Sequence, residues 1–367
     1  MRKPAAALAA LIFLSLAGCA GGVGQNYRDT ESLEVVQALG IDLDGGSVTL
    51  SAATGADASG REPLRIKASG ESMEAAMRAL ADEAGAGSLF FSGTGAVVLG
   101  EAAAAETARW LDGVARSREL RLDTELCVLR GAEAAELVAG SNGPEDVFAA
   151  LDALAGRMER SGTGRTPTCA DVSRSLAESG AVAAAAVRLE DGKILPAGFA
   201  VLTSSGPARF LSDEAAMGTA LFLGGPGEAE VRLAGGVVCV LSGAELALEP
   251  VWAGDGSLAR LEVSVSARGS VVEAPPDAAL SSAADWSRLG RELGEAAAGW
   301  AEAALCECVS SGADFLGLGR TLAARCPEKA AALPEGWPGS LRFSVSGEGK
   351  ILSMREYAAS PYGEGTQ

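Results

Sequence analysis

The sequence contains no histidine in 367 residues. That excludes His-based catalytic triads, imidazole general bases and most zinc hydrolase sites. Aromatic residues make up only 5% of the chain, which gives no sign of a stacking platform for nucleic-acid bases. The formal net charge is −18 and no basic face of clustered lysines and arginines offsets it, so electrostatics favours neither nucleic acid nor an anionic membrane. There is no C-x-x-C pair, no Ser-x-x-Lys and no G-x-S-x-G, which removes the usual metal, redox and serine-nucleophile patterns. Nor does any segment after the N-terminus offer 18 uninterrupted apolar residues, the length a typical spanning helix requires. What remains is globular in composition, 48% hydrophobic and 21% charged. The length suits two or three domains with real cores.

The N-terminus carries an address. Residues 1–18 read as a signal peptide: Arg2 and Lys3 supply the charge, and Ala5 to Leu16 a short apolar run. It ends in Leu16-Ala17-Gly18-Cys19, the form of a bacterial lipobox, in which small residues admit the peptidase and the Cys19 thiol takes a diacylglyceryl group. Two acyl chains, palmitate for example, at about 0.8 kcal/mol per buried CH₂, anchor stably where one does not. Residues 19–30 then form a lipidated cysteine and flexible tether, rich in glycine. An acidic body on a membrane needs such an anchor, because its charge supplies none.

Beyond the tether, Leu33 to Ile41 and Val48 to Ala52 read as a hairpin, with Asp42-Leu43-Asp44-Gly45-Gly46 as a plain turn rather than a calcium loop. Ser72 caps a helix to about Ala84 that presents Met73, Met77 and Leu80 on one core-facing side. Strands are expected near 88–91, 96–99 and 124–129, and helices over 101–116, 132–139 and 145–158. Ser161 to Arg165 reads as an exposed loop, without the Gly-Lys-Ser/Thr of a phosphate-binding loop. A hairpin follows over 181–189 and 194–202, then a helix over 213–223 capped by Ser212. Strands are expected over 229–233, 236–241, 245–252 and 258–266. A long helix over about 285–310 bears Trp286, Leu289, Leu293, Ala297, Trp300 and Ala304 at three- and four-residue steps, which predicts packing on its own sheet. A final strand pair over 340–346 and 351–357 closes an α+β pattern of mixed β-sheets packed with α-helices.

Six cysteines follow Cys19. Cys127 and Cys239 lie in apolar runs as buried thiols, while Cys306, Cys308 and Cys326 form the one cluster, in which a disulfide is possible but not readable. Adjacent carboxylates such as Asp123/Glu125 and Asp213/Glu214 read as solvated faces rather than a glycosidase pair. No catalytic, cofactor-binding or metal-ligating residue emerges.

The order of segments resembles the Ger(x)C lipoproteins, the C subunits of nutrient germinant receptors in endospore-forming bacteria. The likeness rests on the lipobox followed by Ala38-Leu39-Gly40-Ile41-Asp42, on Ser72-Met73-Glu74-Ala75 before Leu89-Phe90-Phe91-Ser92, and on Trp110 to Arg116 before Arg118 to Thr124. It continues with Gly198-Phe199-Ala200-Val201 before Leu211 to Ala215 and Gly218, then Asp314-Phe315-Leu316-Gly317-Leu318-Gly319 with Trp337 and Phe343. Ala20, Gly93 and Ser117-Arg118 depart from the family's usual Trp, His and Asp-Pro.

The resemblance implies three small domains in an elongated arrangement. A germination-protein-like N-terminal region would occupy 31–195 and a C-terminal region 196–367. It implies partnership with membrane-embedded A and B receptor subunits on the outer face of the spore inner (cytoplasmic) membrane, with no enzymatic activity, no cofactor and no nucleic acid. An envelope solute-binding lipoprotein that captures a small nutrient is the alternative, and it requires a cleft between domains lined by aromatic and polar groups. Candidate contact residues are Asp314 with the Gly317/Gly319 turn, and Arg116, Arg118 and Arg121, which have acidic neighbours Glu119 and Asp123 to pair with.

Overall fold

The computed structural model describes residues 33–354 apart from 56–62, 86–87, 142, 276–277, 279 and 281. The signal peptide, Cys19 and the tether lie outside the described residues, as do residues 355–357 of the expected last strand.

Strands β1 (Leu33–Asp44) and β2 (Ser47–Thr54) form the expected antiparallel hairpin, and β3 (Arg65–Gly70) pairs with β2. Helix α1 (Met73–Glu83) starts at Ser72, whose hydroxyl accepts the Ala75 N–H at 3.2 Å. Short β4 (Ser88–Phe90) and β5 (Ala96–Leu99) follow. The helix expected over 101–116 is two, α2 (Glu101–Ala105) and α3 (Thr107–Arg116), because Glu106 leaves helical geometry at φ −121°. Then come β6 (Glu125–Leu129), α4 (Ala134–Val138), α5 (Val147–Ser161), α6 (Cys169–Ser179), β7 (Ala181–Glu190), β8 (Lys193–Thr203) and β9 (Arg209–Phe210). Helix α6 was not expected, yet its start is written in the sequence. Thr168 and Asp171 cap each other's backbone N–H in a capping box.

These strands form one nine-stranded mixed sheet, ordered β3-β2-β1-β5-β6-β7-β8-β9 with β4 beside β1. Its centre, β1-β5-β6-β7, is parallel and its flanks are antiparallel. Alternation along each central strand feeds two cores. Leu126 and Val128 pack with α1 and α3 on one face, while Cys127 and Leu129 pack with α4 and α5 on the other. Strand β8 runs across the boundary expected at 195/196, so the change of sheet comes later, between Phe210 and Ala229.

The second sheet is four-stranded, ordered β10 (Ala229–Arg232), β11 (Val238–Trp252), β12 (Leu258–Glu273), β13 (Phe343–Met354). The segments 236–241 and 245–252 are one strand with an irregularity between Leu241 and Gly243. The expected closing strand pair is likewise a single strand, β13, parallel to β12. Gly347 and Gly349, which punctuate the sequence like a turn, serve close packing instead. A Cβ at Gly347 would stand 2.0 Å from the Gly294 carbonyl oxygen, and one at Gly294 2.5 Å from the Glu348 carbonyl carbon.

Helix α7 (Asp213–Phe222), capped by Ser212, and helix α8 (Ala283–Ser311) complete the second core. The α8 stripe is buried in the second core: Leu289, Leu293, Ala297 and Ala304 are fully buried, Ala304 beside Gly218 of α7, and Trp286 and Trp300 flank them half-buried. Each leucine so buried contributes about 1.5–3 kcal/mol. Gly218 brings α7 against α8 so closely that a Cβ there would meet the Trp300 carbonyl oxygen at 1.9 Å. Phe199 and Val201 from the first sheet, with Leu211 just beyond β9, share this core, so the two halves meet in a packed seam. Helices α9 (Leu318–Arg325) and α10 (Pro327–Ala331) lie between α8 and β13 in the chain.

The stretch Ser161 to Arg165 is not an exposed loop. Ser161 ends α5, Gly162 takes φ +75° against Pro226, and buried Gly164 packs on Met158 and Gly198, leaving only Arg165 exposed.

Candidate functional site

A cavity of about 490 Å³ opens where the two halves meet. One wall is α6, which presents Asp171, Arg174, Ser175 and Ser179 at helical spacing. The opposite wall is the turn Asp314 to Gly317 with Arg320 and Thr321 of α9. Arg165 and the end of α7 close a third side, where the Arg165 guanidinium bonds the Leu223 carbonyl oxygen. The first residues of β7 and the side chains of Phe315 and Leu316 make the floor apolar. A neighbouring cavity of about 760 Å³ lies between the end of α6 and residues 312–338, with Trp337 and a run of prolines and alanines in its lining. Arg320, which lines both, is paired with Glu178 at 3.2 Å.

Asp314 holds the turn. Its carboxylate is 3% exposed and accepts the N–H groups of Leu318 and Gly319 at 2.8 and 2.7 Å, satisfying two of the unpaired donors at the start of α9. Burial pushes its pKa up. The amides of Gly319, Leu318 and Gly317 and the Arg320 charge oppose that rise without cancelling it. Gly317 takes φ +71°, where a side chain would strain the backbone, and a Cβ at Gly319 would press on Asp314 at 3.1 Å.

Asp42 is built the same way. Its carboxylate accepts Ala134 N–H at 2.8 Å and Ala135 N–H at 2.9 Å, tying β1 to α4 across 92 residues of chain. A Cβ at Gly100 would lie 2.0 Å from its Oδ1. Burial raises its pKa, the two amides lower it, and Glu133 and Glu136 raise it again. The acidic turn at 42–46 is therefore a structural tie: Arg109 bonds the Gly45 and Gly46 carbonyls at 3.2 and 2.8 Å.

The other candidates separate. Arg116 pairs with Asp112 and Arg121 with Asp123, whereas Arg118 is exposed on the loop between them. Ser117 fastens that loop by accepting the N–H groups of Glu119 and Leu120, each at 3.2 Å. Asp123 and Glu125 do not face each other as a buried pair: Glu125 accepts the Thr166 hydroxyl at 2.7 Å, and both carboxylates are exposed. Asp213 and Glu214 are exposed in the first turn of α7, where they complement the helix dipole.

Cys127 and Cys239 are buried thiols as expected, raised to about 12 and about 11 by burial first and then by Glu125 and Glu292 respectively. Cys169 is buried too, and Cys306, Cys308 and Cys326 are all free thiols. Among the described residues, no group of three or more His, Cys, Asp or Glu side chains is placed to hold a metal ion. No helix among them is long and apolar enough to cross a membrane. The cavity arginines at 165, 174 and 320 were missed in the sequence, because they come from three distant segments and no local spacing announces them.

The chain shares the fold of the crystallised GerBC protein with a TM-score of 0.57 at 16% identity, over 86% of this chain and 96% of that one. Residues 26–189 match the spore germination protein N-terminal domain family. A comparison with curated protein sequences found no match. Residues 26–189 therefore carry a spore germination protein N-terminal domain.

Proposed function

We propose that the chain is a non-catalytic lipoprotein subunit of a membrane germinant receptor, needed for assembly or signalling when nutrients trigger spore germination. The observation that carries this reading is one of order: a lipobox ending at Cys19 stands directly before the germination domain that begins at residue 26. The acylated thiol holds the body on the outer face of the spore inner membrane, and the body acts by contact with the membrane-embedded A and B subunits. The family-like residues support a role in shape rather than reaction. Asp42, Ser72, Ser212 and Asp314 all cap helix starts, and Gly218 admits a close helix contact. Replacing Cys19→Ser in a sporulating host tests the reading. The variant is expected to leave the membrane fraction and to abolish the nutrient response. Unchanged membrane residence together with normal germination would sink it.

A further inference from the structure

Acidic residues outnumber basic ones 48 to 30 in this chain, yet the 490 Å³ cavity between the halves reverses that balance. Its lining holds Arg165, Arg174 and Arg320 against Asp171 and Asp314. Three other cavities formed by described residues go the opposite way: Glu125 and Asp152 in one, Glu245 and Glu348 in another, and Glu178, Asp314 and Glu335 against Arg320 alone in the third. Of the two carboxylates in the arginine-rich cavity, Asp314 is already engaged by two backbone amides.

Arg174 and Arg320 are held only by exposed ion pairs, whereas Arg165 also bonds the Leu223 carbonyl. Arg174 reaches Asp171 through one contact at 3.0 Å, Arg320 reaches Glu178 at 3.2 Å, and Arg165 reaches Glu159 at only 3.9 Å. All six side chains are 46% exposed or more. Exposed pairs of this kind hold by about 0–1 kcal/mol, while a bidentate bond between a guanidinium and an oxyanion is stronger and geometrically specific. A ligand anion can therefore displace the internal carboxylates at little cost. Ser175, Ser179 and Thr321 supply hydroxyls on the same walls, the floor is apolar, and the volume falls in the range of small-molecule sites.

We propose that this cavity binds a small solute bearing a carboxylate or phosphate group, with Arg174 and Arg320 as its principal contacts and Arg165 holding the third wall in place. Glu178 is the internal competitor: it occupies Arg320 when the ligand is absent. The proposal is independent of the membrane reading, because it does not require Cys19 to be acylated.

The test is calorimetric titration of the full mature chain in detergent with L-glutamate and, separately, with inorganic phosphate, the two arms distinguishing carboxylate from phosphate. Saturable binding is expected in at least one arm. Arg174→Gln and Arg320→Gln should each weaken it by about tenfold, the loss of one charge-assisted bond. Glu178→Gln should tighten it several-fold, because it releases Arg320 while leaving every cavity cation in place. Thermal melts establish that each variant is folded, and if an arginine variant is not, Glu178→Gln decides. No saturable binding in either arm, binding unchanged in both arginine variants, or binding not tightened by Glu178→Gln would each overturn the proposal.

Discussion

The two buried carboxylates among the described residues, Asp42 in the first half and Asp314 in the second, make the same pair of bonds for different purposes. Asp42 reaches from a central strand to a helix 92 residues later, so it fixes the position of α4 against the nine-stranded sheet. Asp314 reaches only four and five residues ahead, so it shapes one turn and the start of α9. Their surroundings differ too. Glu133 and Glu136 stand near Asp42 and oppose its charge, whereas Arg320 stands near Asp314 and favours it. Sequence separation sets what a cap accomplishes: the distant one joins elements that chain connectivity leaves apart, and the local one tightens a connection that already exists.

Replacing both aspartates breaks the comparison most directly. Asp42→Ala leaves two buried amides without an acceptor, at a cost of about 2–5 kcal/mol, and is expected to loosen α4 from the sheet. Asp314→Ala should cost less, about 1–3 kcal/mol, because Gly319 is partly exposed and water can replace the lost acceptor. Denaturant midpoints measure both, and equal losses would remove the distinction between long-range and local ties. Within the second half, Gly218→Ala should cost about 1–3 kcal/mol by forcing α7 away from the Trp300 carbonyl. It should perturb the cavity walls as well, since Phe222 and Leu223 move with α7.

A smaller effect is carried by pH. Both carboxyls have folded pKa values raised above the usual 3.8, so the folded chain keeps these protons at pH values where the unfolded chain has released them. Their contribution is present in full below 3.8 and is lost as pH rises through the folded value. The stability difference between the native chain and Asp42→Asn should therefore shrink as pH rises above about 3.8, measured by denaturation across a pH series. Exposed Asp112 and Asp123, lowered by hydrogen bonds from Arg116 and Arg121, act with the opposite sign and cancel from that difference.

The smallest expected effect concerns thiols. A maleimide should label Cys306 first, since it is exposed, although burial, Glu302 and Glu307 raise its pKa. Cys127 and Cys169, both pushed up to about 12 chiefly by burial, should react only on unfolding. Cys306→Ser should leave the melting temperature unchanged. Early labelling of Cys127 would mean that the face of the first sheet covered by α5 opens locally.

By itself the sequence determined whatever depends on near neighbours. The helix starts at Ser72 and Ser212, the hairpins at 33–54 and 181–203, the α8 stripe and the buried thiols at 127 and 239 all follow from local patterns of apolar spacing, caps and turns. Helix α6 was legible by the same means, from its Thr168/Asp171 box. Tertiary structure alone decided matters that join distant segments. Gly347 and Gly349 look like turn residues until α8 lies on them, and Gly164 looks exposed until Met158 and Gly198 close over it. Asp42 looks like a turn acid until α4 arrives 92 residues later. Arg165, Arg174 and Arg320 share a cavity only because two independently patterned halves pack along one seam. The physical reason is range: caps and periodicity act over a few residues along the chain, while close packing and convergent charge depend on which surfaces meet in space.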